Sequence, residues 1–87
     1  MIGQHLRDRF FQRYGMELDK KKLQTIIRMC WQTPGRPNAR PGAEEVSFLQ
    51  WGHNIRVVWD RQTRFIFTFL PEPGFKLAQY QYKGARR

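Results

Sequence analysis

Cysteine is almost absent: Cys30 stands alone in 87 residues, so no internal disulfide can staple the fold. Two histidines and that one cysteine cannot furnish an ordinary structural zinc site. No apolar run approaches the roughly 20 residues of a membrane span. The N-terminus has no apolar stretch of the kind that opens a secretory signal. A cytoplasmic protein with no membrane partner is the expectation. Acid is scarce as well. Seven Asp and Glu face sixteen Lys and Arg, for a net charge of +9. Such an excess points to a polyanionic partner, because neutralising phosphates releases condensed counterions.

What is present fits one small domain. A chain of this length buries only about 60% of its unfolded surface, enough for two or three helices on one face of a three- or four-stranded sheet. Aromatics make up 15% of the residues, enough to build a core. The basic charge is spread along the chain rather than blocked: residues 1–28 hold seven basic and three acidic groups.

Residues 2–14 have helical periodicity. Ile2, Leu6, Phe10 and Tyr14 recur every four positions and form an apolar stripe, with Phe11 widening it. Gly15 is placed to end that helix. His5, Arg9 and Arg13 form a second, polar stripe. A second helix is predicted from about Lys20 to Gln32, capped by Asp19, with Leu23, Ile26, Ile27 and Cys30 on its apolar face. Leu18 and Leu23 have the spacing of a hydrophobic staple. Lys20, Lys21 and Lys22 oppose the helix dipole, so solvent screens them or they serve a partner.

Thr33–Ala43, with three prolines, reads as a long loop that cannot enter a central strand. Three antiparallel strands are predicted next: Val46–Trp51, Ile55–Trp59 and Phe65–Leu70. Gly52-His53-Asn54 and Asp60–Arg64 supply the turns. The last strand is apolar on both faces, with Phe65, Phe67 and Phe69 on one and Ile66, Thr68 and Leu70 on the other. A sheet covered on one side only should alternate. The second face is therefore covered by the loop or the C-terminal segment, or it meets a partner. Phe75–Tyr82 reads either as a fourth strand or as an arm, and Lys83–Arg87 as a basic tail. The domain layout is one α+β unit over residues 1–74, with a Pro-rich loop at 33–45, and a C-terminal extension over 75–87.

Two stretches together resemble a known pattern. Residues 5–18 place His5, Arg9, Arg13 and Gly15 on the first helix. Residues 55–71 place Arg56, Val57, Val58, Trp59 and Asp60 before a turn, then Ile66, Thr68 and Pro71. This resembles small RelE-like proteins of the barnase/EndoU/colicin/RelE ribonuclease-toxin fold, of phage or plasmid type. The Pro-rich loop and the segment after Pro71 depart from that pattern. The resemblance implies a RelE-like α+β fold and metal-independent cleavage of RNA through the ribose 2′-hydroxyl, with an antitoxin as one possible partner.

Such chemistry needs a proton acceptor, a clamp on the phosphorane and a proton donor. An unperturbed imidazole ionises close to working pH, so a histidine such as His5 suits either proton role. Arg56 suits a bidentate phosphate clamp and Thr68 a hydroxyl donor from a rigid strand, so His5, Arg56 and Thr68 are the candidate catalytic residues. Arg9, Arg13, Lys20, Lys21, Arg36, Arg40 and Arg64 are the candidate phosphate contacts. No cofactor and no metal are expected. The bland alternatives are a solvated His5, arginines paired with Asp8 or Glu17, and a Thr68 that merely fills a strand. Trp51, Trp59, Phe65, Phe67 and Phe69 read as core, and His53 as an exposed turn residue. A second functional reading keeps the scaffold without catalysis: a phage or mobile-element inhibitor, of anti-CRISPR type, that binds a host defence or nucleoprotein complex.

Overall fold

Gly15 stops the first helix as its position predicts. In the computed structural model, which describes residues 2–73, helix α1 covers Gln4–Tyr14. Gly15 follows in the left-handed region at φ 71°, and its amide donates to the Phe11 carbonyl at 2.8 Å. Helix α2 covers Lys20–Gln32. The Asp19 carboxylate accepts from the Lys22 amide at 2.8 Å and so caps it. The Lys22 ammonium lies 3.6 Å from the same carboxylate, while Lys20 and Lys21 face solvent. Neither helix is long and apolar enough to cross a membrane.

Four strands form one antiparallel sheet in chain order: β1 Arg36–Pro37, β2 Glu44–Gln50, β3 His53–Asp60 and β4 Phe65–Leu70. Both helices pack on one face. Phe10, Tyr14, Ile26 and Cys30 bury against Val46, Ile55, Val57, Trp59 and Phe69. Each large apolar side chain buried this way contributes about 1.5–3 kcal/mol. The architecture is therefore α+β, with two N-terminal helices against a four-stranded antiparallel sheet.

Four local features differ from the sequence reading. The Pro-rich segment is not wholly loop, since Arg36–Pro37 pairs with Glu44 and Glu45 as an edge strand. Pro37 is tolerated there because an edge position asks for no second ladder bond. The β2–β3 turn is Trp51-Gly52 rather than residues 52–54, and Gln50 pairs directly with His53. Trp51 adopts φ 53° and Gly52 φ 77°, the paired positive values of a two-residue hairpin turn. A bulky residue rarely sits in that region. Here the Trp51 indole packs edge-on to Phe10, with ring centres 6.3 Å apart, which holds the turn in place. His53 and Asn54 consequently belong to β3.

The fourth difference is a β-bulge. Val58 pairs with Thr68 but Trp59 pairs with Ile66, leaving Phe67 as the extra residue. The bulge shifts the facing of β4, so that Ile66 and Phe69 both reach the core while Thr68 faces the other side with Val58. Strict alternation therefore fails on this strand, and the three phenylalanines do not share a face. On the face away from the helices Val58 is only 4% exposed. The loop after β1 turns back on itself (the Asn38 amide donates to the Ala43 carbonyl at 3.2 Å), and the Arg40 guanidinium reaches the Phe67 ring at 4.5 Å. The loop thus supplies cover for the second face.

Four consecutive residues leaving β4 are each held by a different group. Arg13 Nε donates to the Phe69 carbonyl at 3.1 Å, the Tyr14 hydroxyl to that of Leu70 at 2.8 Å, and Arg56 Nη1 to that of Pro71 at 2.9 Å. The Glu72 carboxylate accepts from the Asn54 amide at 3.0 Å and meets His53 Nδ1 at 2.8 Å. The readings of Phe75–Tyr82 as strand or arm and of Lys83–Arg87 as a basic tail lie outside the described residues.

Candidate nucleic-acid interface

The candidate residues are spread over the fold, and the two ends of the β3–β4 hairpin differ most. At the end where β3 begins and β4 finishes, the guanidinium of Arg56 is occupied. Its Nε and Nη2 both reach one Glu45 oxygen, at 3.1 and 2.6 Å, and its Nη1 bonds the Pro71 carbonyl. Thr68 shares this outer face of the sheet, half-buried opposite Val58. His5 lies elsewhere, exposed in the first turn of α1 on the helix side and beside Arg64 and Phe65. The expected convergence of His5, Arg56 and Thr68 in one cleft is not what the fold produces. Arg56 and Thr68 share a face, and His5 does not join them.

Two further arginines of the first helix have local roles. Arg9 Nη1 donates to Gln12 at 3.2 Å, and Arg13 serves the Phe69 carbonyl. Burial, and then the neighbouring Arg9 charge, lower the Arg13 pKa from its ordinary value. Neither arginine pairs with Asp8 or Glu17 among the described residues.

His53 is not the exposed turn residue expected. It is half-buried at the start of β3 and paired with Glu72. Burial works to raise the Glu72 pKa, but the Asn54 amide and His53 outweigh it and hold the carboxyl below its ordinary value. Nothing in the sequence signalled this pair, because it depends on the two-residue turn that brings His53 into the strand. Cys30, the only thiol, is buried, and burial pushes its pKa up to about 12, so it is no nucleophile.

The other end of the hairpin is different. There cations lie against π faces. Arg64, at φ 63° in the last turn position before β4, places its guanidinium 4.7 Å from the centre of the Trp31 ring. Phe65 follows it in the chain, with its ring 5.0 Å from that of Phe67, and Arg40 stacks on Phe67. The row Trp31, Arg64, Phe65, Phe67, Arg40 runs from the end of α2 across the start of β4 to the Pro-rich loop. Trp31 is 49% exposed and Phe65 59%, so the expectation that Phe65 is core is corrected. An exposed ring at the first residue of an edge strand has no layer above it. Neither Arg40 nor Arg64 has an acidic partner among the described residues. Arg36 is exposed on the edge strand, and Lys20 and Lys21 lie on the helix side, at the start of α2.

The acids explain why these cations are left over. Glu44, Glu45 and Glu72 are engaged by Arg61, Arg56 and His53, Asp19 caps α2, and Asp60 closes the β3–β4 turn through the amides of Gln62 and Thr63. Most of the scarce negative charge is therefore engaged by partners within the chain, which leaves a basic surplus without acids to pair with. No protein-family model, curated protein or solved structure matches the chain.

Proposed function

We propose that the protein binds single-stranded RNA through the row formed by Trp31, Arg64, Phe65, Phe67 and Arg40, on a RelE-like α+β body. The observation that carries this reading is the interleaving itself: two exposed rings, Trp31 and Phe65, and two arginines without acidic partners, Arg64 lying against Trp31 and Arg40 against Phe67, which itself touches Phe65. Bases of a single strand stack on aromatic rings, and guanidinium groups track the phosphates between them. The net charge of +9 adds long-range attraction of the same sign. The reading is one of binding, not cleavage. It does not need His5, Arg56 and Thr68 to meet, and it leaves the Arg56 guanidinium with Glu45 and Pro71.

Fluorescence anisotropy with a labelled uridine decamer over a salt series tests it. Affinity falls steeply with salt, and Arg40→Ala and Arg64→Ala each reduce the slope of log affinity against log salt by about 0.7, the single-strand value per phosphate contact. Binding that is indifferent to salt, or slopes unchanged in both variants, would overturn the assignment.

A further inference from the structure

Beside the row lies a groove of about 400 Å³ between the start of α1, α2 and the first residues of β4. It exists because the apolar stripes of both helices run past the edge of the core. Ile26 and Cys30 of α2 are fully buried, while Leu23 and Ile27 are only partly covered, as is Leu6 of α1. These three side chains line the groove together with Ile2 and the β4 residues Phe65, Ile66 and Phe67. Two polar groups stand at it, His5 and Arg64. A mostly apolar hollow with a few polar groups, in the ~300–1,000 Å³ range, is the usual form of a small-molecule site.

We infer that this groove receives one unstacked base of the bound single strand, against the ring of Phe65 and beside His5, with the adjoining phosphates on Arg64 and Arg40. This rests on the RNA-binding reading and gives it a specific pocket. The occupant must carry a flat apolar ring, to fill an aromatic and aliphatic lining, and negative charge on both sides of that ring, to meet two arginines that lack acids. A nucleotide within a strand has both features. The His5 imidazole can donate to or accept from the edge of a base. A second copy of this chain has the opposite character, since it brings another +9 to the same surface.

The test compares a uridine decamer with the same decamer carrying abasic sites at its central positions, using the full chain and Leu6→Trp, which fills the groove and leaves the row intact. For the unaltered chain the abasic decamer binds about tenfold more weakly, within the range for one stacked base. In Leu6→Trp the normal decamer drops to the abasic level and the abasic one is unaffected. Should that variant fail to fold, uridine monophosphate is titrated into the unaltered protein and followed by NMR. It shifts the His5 ring and the Leu6 and Ile27 methyl signals, and inorganic phosphate does not. Equal affinity for both decamers, with the salt dependence intact, would sink the base pocket and leave RNA binding standing. Loss of all decamer binding would sink both. Displacement of the monophosphate by polyglutamate but not by further nucleotide would show a site for charge alone and would also overturn the inference.

Discussion

The hydroxyl of Tyr14 bridges the two strands at the rung where Arg56 pairs with Leu70. It accepts from the Arg56 amide at 2.8 Å and donates to the Leu70 carbonyl at 2.8 Å. A helix side chain thus splices the last rung between β3 and β4. Tyr14→Phe keeps the ring and removes the splice, leaving a buried amide and a carbonyl without partners. The expected cost is about 1–3 kcal/mol in urea unfolding. The same group has an alkaline signature. Burial drives the phenol pKa above its ordinary value of 10.0, against an opposing effect of the Arg56 amide. Above pH 10 the unfolded chain gives up this proton while the folded chain keeps it, so stability falls as pH rises. Tyr14→Phe loses that part of the alkaline decline. Identical slopes in the two proteins above pH 10 would contradict the assignment.

Glu72 supplies the opposite limb. Its carboxyl is held below the ordinary value of 4.5, so its contribution is present above that pH and is lost as pH falls through the lower, folded-state value. Glu72→Gln is expected to cost about 1–2 kcal/mol at pH 7, from weaker bonds to the Asn54 amide and His53. The difference from the unaltered protein should narrow below pH 4. A gap that stays constant from pH 7 to pH 3 would show that the carboxylate charge is not what holds this segment.

The helices were legible because their signals are local. Asp19 as cap, Gly15 as stop and two four-residue stripes are each decided within a few positions of the chain. The meander was legible for the same reason. The turn at Trp51-Gly52 was not, since a tryptophan at positive φ depends on a Phe10 ring some forty residues away. The bulge at Phe67 was hidden too, because a strand with apolar residues on both faces and a single threonine does not mark which face is which. Both errors moved site residues. The first concealed the His53–Glu72 pair, and the second made Phe65 read as core. Of the candidate phosphate contacts, Arg40 and Arg64 emerge together with the exposed rings. Arg13, which helped to carry the RelE-like resemblance, holds the Phe69 carbonyl, and the candidate catalytic Arg56 holds that of Pro71. A motif read from sequence cannot distinguish an arginine that binds a ligand from one that binds the chain itself.

Gly35 tests the packing behind Glu44. A Cβ at Gly35 would lie 2.6 Å from the Glu44 carboxyl carbon. That carboxylate cannot simply swing away, because it accepts from Trp59 Nε1 at 3.1 Å and Arg61 Nε at 2.6 Å. Gly35→Ala should cost about 1–2 kcal/mol through the displaced bonds. Gly3→Ala, where nothing lies within 4 Å, should be close to neutral. Thermal unfolding of the two variants side by side decides it, and equal midpoints would show that Glu44 yields freely.

Arg61 ties the end of α2 to the sheet. Its Nη1 donates to the Trp31 carbonyl at 3.1 Å, and its Nη2 to those of Cys30 and Thr33 at 3.2 and 2.8 Å. These are carbonyls at and just beyond the end of the helix, where the dipole is negative and intrahelical donors run out. The fork also reaches Glu44, so one side chain satisfies the helix end and an acid of β2 at once. Arg61→Ala is expected to cost about 2–3 kcal/mol in urea, since several acceptors lose their donor together. Arg61→Lys should recover less than half of that, because a single ammonium cannot copy the fork. Amide exchange should speed up in the last turn of α2 and remain slow around Ile55 and Val57. Full recovery by lysine would mean that charge at the helix end, not the directed bonds, is what Arg61 supplies.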